Sequence, residues 1–156
     1  VFEITETALF RQDEDVGSMI ASLRATGARI ALDDFGTGFS SLGHIQRYPV
    51  DLIKLDRTFV SGLAGESCDA FRRRAVIKAT ASLAKELGME IVAEGIEDHD
   101  SLMVLKGFGI TFGQGYLFSP PLPLAAAMDW MRVFDRPSSG QGSKVVPLPR
   151  SNLNGR

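Results

Sequence analysis

Ala31-Leu32-Asp33-Asp34-Phe35-Gly36-Thr37-Gly38 joins an apolar run typical of a β-strand to two adjacent carboxylates and a glycine turn. Adjacent residues on a regular strand point to opposite faces, so Asp33 and Asp34 can converge only where the strand ends and the backbone bends. Gly36 and Gly38 permit that bend. Two convergent carboxylates repel each other unless a cation or a proton lies between them, and Mg²⁺ and Mn²⁺ prefer carboxylate oxygen. The stretch therefore indicates either a divalent metal site or a capping aspartate beside a turn aspartate.

Composition sets the broad class of protein. The chain has 156 residues, 44% hydrophobic and 23% charged, which is typical of one globular domain. Its formal net charge of -2 gives no positive field, so we expect no nucleic-acid polymer as a partner. No apolar run approaches the roughly 20 residues of a membrane span, and the single Cys68 fits a reducing cytoplasm. The chain begins at Val1, inside a strand-like segment, so we expect it to be part of a longer protein.

Strand-like and helix-like segments alternate along the chain. Strands are predicted at 1–5, 28–34, 50–56, 89–93 and within 110–118, the last at 110–112 or at 116–118. Helices are predicted at 16–26, 39–47, 68–87, 98–106 and 123–134. Five such units predict an α/β fold with a parallel sheet, part of a TIM-like (β/α) barrel, because a complete eight-unit barrel needs about 250 residues. We assign this domain to residues 1–136, and the Pro-, Ser- and Gly-rich segment 137–156 is predicted to be a disordered tail.

Charged or amide side chains lie at the end of every predicted strand. They are Glu3 and Glu6, Asp33 and Asp34, Lys54 and Asp56, Glu94 and Glu97, and Gln114. Strand ends of a barrel form one rim, where barrel enzymes carry their chemistry. Clustered acids imply a bound cation, and carboxylate-bound divalent ions suit phosphoryl chemistry.

Three residues of this rim each have a functional and a purely structural interpretation. In the functional interpretation, Lys54 orients or deprotonates a water, or neutralises charge on a phosphate. In the structural interpretation, it forms a salt bridge with Asp56 or Asp34. Gly113 and Gly115 beside Gln114 either let the backbone approach a ligand or form a tight turn.

Five co-linear motifs resemble those of the EAL domain family. They are Phe2-Glu3-Ile4-Thr5-Glu6, residues 33–42 from Asp33-Asp34-Phe35-Gly36 onward, Pro49-Val50-Asp51-Leu52-Ile53-Lys54-Leu55-Asp56, Val92-Ala93-Glu94-Gly95-Ile96-Glu97 and Gln114-Gly115-Tyr116-Leu117-Phe118. The likeness covers roughly residues 1 to 134. It implies a modified TIM barrel that uses Mg²⁺ or Mn²⁺ to hydrolyse cyclic di-GMP to linear pGpG.

The resemblance also implies roles for single residues. Glu3, Asp33 and Asp34 resemble the family's metal ligands, and Lys54, Glu94 and Gln114 resemble residues around the catalytic water. Glu6 is similar to the glutamate that anchors the loop after Asp34, residues 35–41, through which the resemblance implies a homodimer. The resemblance also implies substrate contacts for Gly113, Gly115 and Phe39. Phe39 occupies a position where many members of the family have tyrosine.

The family's Glu-Ala-Leu segment and an asparagine ligand are expected upstream of Val1. We therefore expect the 156-residue piece alone to be inactive, and its open sheet to favour poor solubility, dimerisation or pairing with the missing half. The resemblance leaves room for N-terminal domains that tether a cytoplasmic catalytic part to a membrane. The main alternative is an inactive EAL-like domain that senses cyclic di-GMP or docks a protein, and an unrelated metal-dependent barrel enzyme is a third.

Overall fold

The fold is built on one parallel β-sheet. A computed structural model of the protein describes residues 1–9, 14–36 and 45–134. Neighbours in the sheet follow chain order, from β1 through β5, and every adjacent pair is parallel. The strands are β1 (Phe2–Thr5), β2 (Ile30–Phe35), β3 (Leu52–Leu55), β4 (Glu90–Ala93) and β5 (Phe112–Gly113). Since parallel neighbours need a crossover, the sequential order places a connecting segment after each strand.

Helices occupy most of these connections. They are α1 (Glu6–Leu9), α2 (Glu14–Ala25), α3 (Arg57–Val60), α4 (Cys68–Glu86), α5 (His99–Gly107) and α6 (Leu124–Phe134). Local chemistry sets several of their ends. The Ser67 hydroxyl accepts a hydrogen bond from the Ala70 N–H at the start of α4, and Asp98 accepts one from the Ser101 N–H at the start of α5. Gly88, with φ of +69°, follows the end of α4 in the left-handed conformation that glycine allows.

The strand register places the candidate site residues on one face of the sheet. Glu3 pairs with Ala31, Ala31 with Leu52, and Lys54 with Val92. Paired residues of neighbouring strands share a face, as do residues two apart on one strand. Glu3, Asp33, Lys54, Glu94 and, beyond β5, Gln114 are therefore brought to the same side of the sheet.

The opposite face carries the hydrophobic core. Leu32, Ile53 and Leu55 are almost completely buried there. Helix α4 adds Ile77, and α2 adds Ile20, both with no exposed surface. The two faces of the sheet therefore differ in role. One packs against the helices through buried apolar side chains, and the other carries the polar side chains of the candidate site.

The predicted strands and long helices are confirmed, with small shifts at their ends. Helix α4 was predicted at 68–87, and the fifth strand overlaps the first of its two predicted positions, whereas 116–118 forms a turn. The short helices α1 and α3 were not predicted. Of the helix predicted at 39–47, residues 45–47 are helical and the rest lie outside the described residues, as does the predicted tail.

The helices of the described segments can be compared with what a membrane span requires. Within them, no helix combines the length and the apolar character that crossing a bilayer requires.

Candidate active site

The paired aspartates lie at an irregularity in β2. Leu32 pairs with Ile53 and Phe35 with Leu55, so three steps on β2 match two on β3. The extra residue bends the strand, as in a β-bulge. Asp34 has a φ of +57°, a left-handed conformation that costs a non-glycine residue about 1 kcal/mol. The bend predicted from the Asp-Asp pair is therefore present, and it changes the direction of the chain at Asp34.

Lys54 is the centre of the candidate site. Its Nζ lies 2.9 Å from Glu3 Oε2, 2.9 Å from Asp33 Oδ1 and 2.8 Å from Glu94 Oε1. All three contacts are ion pairs between the ammonium and a carboxylate oxygen. The Lys54 side chain is 12% exposed. Three strands thus deliver carboxylates to one ammonium, and Asp56, one of the expected partners of Lys54, instead caps α3 through the Thr58 N–H.

The carboxylates determine the charge of Lys54. Burial by itself lowers the pKa of a lysine, but Glu94, Glu3 and Asp33 outweigh burial and raise the pKa of Lys54 above its ordinary value. Lys54 is therefore a protonated ammonium at neutral pH, which donates hydrogen bonds and has no lone pair to accept a proton.

A cleft of about 530 Å³ opens beside this cluster. Its lining includes Glu94, Gln114, Gly115, Tyr116 and Arg57. Glu94 therefore belongs both to the Lys54 cluster and to the cleft wall. The backbone of Gln114 is fixed by two hydrogen bonds, from its N–H to Ala93 O and from the Ile96 N–H to its carbonyl, so the strand ends of β4 and β5 meet at the cleft.

Packing explains the glycines beside Gln114. A Cβ on Gly115 would overlap the backbone of Ile96, and a Cβ on Gly113 would lie 2.6 Å from Ile96 Cδ1. Gly115 lines the cleft, whereas Gly113 is absent from its lining. Glycine is thus required at position 115 by the Ile96 backbone, whereas at position 113 the neighbour is the movable end of the Ile96 side chain. The close packing supports the tight-turn interpretation, and contact of either glycine with a ligand stays a prediction.

Arg57 lines the cleft but was not among the predicted site residues. Its guanidinium forms an ion pair with Glu97 at 2.7 Å, and its stem packs where a Cβ on Gly95 would lie. The signal in the sequence was its position directly after Asp56, at the end of β3.

The loop after Asp34 is only partly described. Glu6, predicted to anchor that loop, is 2% exposed at the start of α1. Residues 37–44, which include Phe39 and most of the loop assigned to dimerisation, lie outside the described residues.

The chemistry of the donor set fits a divalent cation. Glu3 and Asp33 lie within 2.9 Å of one cationic atom, so this place gathers carboxylates around positive charge. In the described part of the chain, however, no three acidic, histidine or cysteine side chains surround one common point as metal ligands do. The residues present therefore fit part of a metal site.

Consecutive parallel strand–helix units with acids at their carboxyl ends define a TIM-like α/β domain with a polar rim. The family model described as the EAL domain matches residues 1–121, and the chain belongs to that family.

The chain resembles named relatives and solved structures over most of its length. It is 41% identical over 130 residues to cyclic di-GMP phosphodiesterase PA2567 of Pseudomonas aeruginosa, covering 83% of this chain and 22% of that protein. It superposes on the EAL domain of Mycobacterium smegmatis DcpA with a TM-score of 0.75 and 33% identity, covering 87% of this chain and 59% of that one. For Klebsiella pneumoniae BlrP1 in a complex with manganese and cyclic di-GMP, the TM-score is 0.67 and the identity 32%, covering 76% and 29%.

Proposed function

We propose that this chain forms part of the catalytic site of a divalent-metal-dependent phosphodiesterase that hydrolyses cyclic di-GMP to linear pGpG. The observation that carries the proposal is the convergence of Glu3, Asp33 and Glu94 on Lys54 at the strand ends. The names of the relatives, and the presence of manganese with cyclic di-GMP in the BlrP1 complex, support it.

Glu3, Asp33 and Asp34 would hold Mg²⁺ or Mn²⁺. When bound, such an ion polarises the phosphodiester and lowers the pKa of a water. The left-handed backbone at Asp34 bends the chain at the end of β2, which would let the two adjacent aspartates serve one ion. Lys54 keeps Glu3 and Asp33 close together and offers positive charge to the phosphate. Glu94 reaches from this cluster into the cleft, where it would orient or deprotonate the attacking water, and Gln114 would orient the water or the substrate.

The remaining parts of the proposal concern partners and location. Cyclic di-GMP would occupy the cleft beside Glu94, whose lining includes the exposed ring of Tyr116. We further propose that the protein acts in the cytoplasm and forms a homodimer through the loop after Asp34, for which Glu6 is the anchor.

The test is hydrolysis of cyclic di-GMP by the intact protein that contains this chain, with Mg²⁺ or Mn²⁺. Asp34→Asn should abolish pGpG formation, because it removes a metal-binding charge. Asp129→Asn, on exposed α6, is the matched control and should hydrolyse like wild type. Retained hydrolysis by Asp34→Asn would count against the proposal. The 156-residue chain alone should be inactive, because its described residues hold only part of a metal site.

A metal-free binding module is the second candidate. The observation that favours it is that the Lys54 ammonium already neutralises part of the carboxylate charge, so the cluster needs no metal to exist. Binding of cyclic di-GMP by the intact protein without turnover, in saturating Mg²⁺ or Mn²⁺, would support this candidate over the enzyme.

A further inference from the structure

The turn that carries Asp34 is held in an unfavourable backbone conformation. Within the described residues, Asp34 is the only non-glycine with a left-handed φ, and Gly36 follows with a φ of +91°. Two left-handed residues so close together need support from their surroundings, because an aspartate alone would relax to a commoner conformation.

An aromatic ring lies directly against this turn. A Cβ placed on Gly36 would be 2.7 Å from Phe59 Cζ and 3.0 Å from Phe59 Cε2. The ring therefore occupies the space of the missing side chain, and its atoms contact the turn two residues after Asp34. Phe59 is itself partly buried and packs against the hydrophobic core.

The position of Phe59 is fixed from β3. Leu55, the last residue of β3, pairs with Phe35 of β2. Asp56 then caps α3, accepting a hydrogen bond from the Thr58 N–H at 2.9 Å, while its carbonyl accepts one from the Phe59 N–H at 3.0 Å. These bonds begin α3 at the end of β3, so that Phe59 extends over the neighbouring end of β2.

We propose that Phe59 is a positioning residue for Asp34: its ring packs on Gly36 and holds the left-handed bend at which Asp34 stands. This inference rests on the proposed metal-dependent function. Loss of the ring leaves the Asp34 carboxylate chemically intact and removes the contact that fixes its backbone. Phe59 therefore acts on the metal site only through the turn.

The test compares Phe59→Leu with Phe108→Leu in the intact protein. Phe108 is the matched control, because it is also partly buried against the core and lies at the end of α5, before β5 and away from the strand carboxyl ends. Mn²⁺ affinity is measured without substrate, from the electron paramagnetic resonance signal of free Mn²⁺, together with the thermal midpoint. Both variants should lower the midpoint. Only Phe59→Leu should weaken Mn²⁺ binding, by roughly tenfold, the scale found for outer-shell partners of metal ligands.

A double-mutant cycle tests the contact from its other side. Gly36→Ala places a methyl group against the Phe59 ring, on an exposed turn, and should weaken Mn²⁺ binding. In the Phe59→Leu background the same change should cost less, since the ring is gone. If the double variant loses Mn²⁺ affinity by the product of the two single-variant losses, Gly36 and Phe59 act independently and the inference is wrong.

The remaining outcomes separate this inference from the function it rests on. If wild type binds Mn²⁺ and hydrolyses cyclic di-GMP while Phe59→Leu binds Mn²⁺ as Phe108→Leu does, the positioning role is wrong and the proposed function stands. If wild type neither binds Mn²⁺ nor hydrolyses cyclic di-GMP, both are wrong.

Discussion

Replacement of Lys54 by methionine tests the centre of the site. Methionine keeps most of the apolar stem and removes the charge, so Glu3, Asp33 and Glu94 lose their shared cation. The expected loss of unfolding free energy depends on how far these side chains are exposed to solvent. The exposed fraction is 12% for Lys54, 22% for Asp33 and Glu94, and 52% for Glu3. Breaking a fully buried pair costs about 3 to 5 kcal/mol and an exposed pair under about 1. For these partly solvated pairs we expect a loss of about 2 kcal/mol in the free energy of unfolding.

The assay is urea unfolding of wild type, Lys54→Met and a control, Lys85→Met, in the same intact protein. Lys85 is exposed in the last turn of α4, so its variant should stay within about 0.5 kcal/mol of wild type. Since the three carboxylates of Lys54→Met no longer have a lysine between them, Mn²⁺ should raise its unfolding midpoint at least as much as that of wild type. A loss for Lys54→Met as small as that for Lys85→Met would refute the reasoning.

The pH dependence follows from the raised pKa of Lys54. A raised pKa contributes stability that is fully present below the pKa of an unfolded lysine, about 10.4, and that is lost as the pH rises through the folded value. The difference in unfolding free energy between wild type and Lys54→Met should therefore be constant between about pH 7 and about pH 9. A difference that disappears across this window would mean that Lys54 is not held as an ammonium.

Three further predictions concern the scaffold of the site, each measured by urea unfolding of the intact protein. Asp51→Ala removes the acceptor of the Ile30 N–H, at 2.8 Å, and an ion pair with α2, and should cost about 2 kcal/mol; an unchanged midpoint would contradict this. Asp56→Ala removes the cap of α3 and should cost about 1 kcal/mol at pH 7. Hydrogen bonds from the side chain and the N–H of Thr58 lower the pKa of Asp56, so this stability is present above about pH 4 and is lost as the pH falls through the folded pKa; a cost that does not decrease at all as the pH is lowered below about 4 would show that the cap does not act through the carboxylate. Gly115→Ala forces a Cβ into the backbone of Ile96 and should cost at least about 3 kcal/mol, as over-packing does at its upper range, whereas Gly107→Ala, where a Cβ meets open space, should not destabilise.

The elements that the sequence predicted are those with strong local signals. Helix α4 was placed within one residue at each end, and Gly88 is the local signal that marks where it stops. Helices α1 and α3 have four residues each, too few for an apolar period to appear. Strand β5 has only two residues, and its position was ambiguous because apolar residues occur at both ends of 110–118. Its pairing with β4, which no local pattern encodes, decides between them.

The candidate site was predictable as a set of residue types and much less as a set of contacts. The strand-end acids could be listed from the sequence, because parallel strands bring their carboxyl ends together. The partners of Lys54 could not, because they come from β1, β2 and the end of β4 and depend on register. The same holds for the pairs of Gly115 with Ile96 and of Gly36 with Phe59, where the reason for glycine lies in a distant side chain or backbone.

Charge balance connects the Lys54 cluster with the proposed metal. Three carboxylates and one ammonium have a formal charge of −2, so Lys54 offsets one third of the negative charge. Asp34, the third proposed metal ligand, adds one more negative charge and brings the formal charge to −3, so a divalent cation would leave −1 and a monovalent cation −2. Near-neutral clusters are the ones that a partly buried site tolerates, since an uncompensated charge costs several kcal/mol. Lys54 thereby offsets part of the negative charge beside the proposed metal site, including that of Glu94, the carboxylate that also lines the cleft.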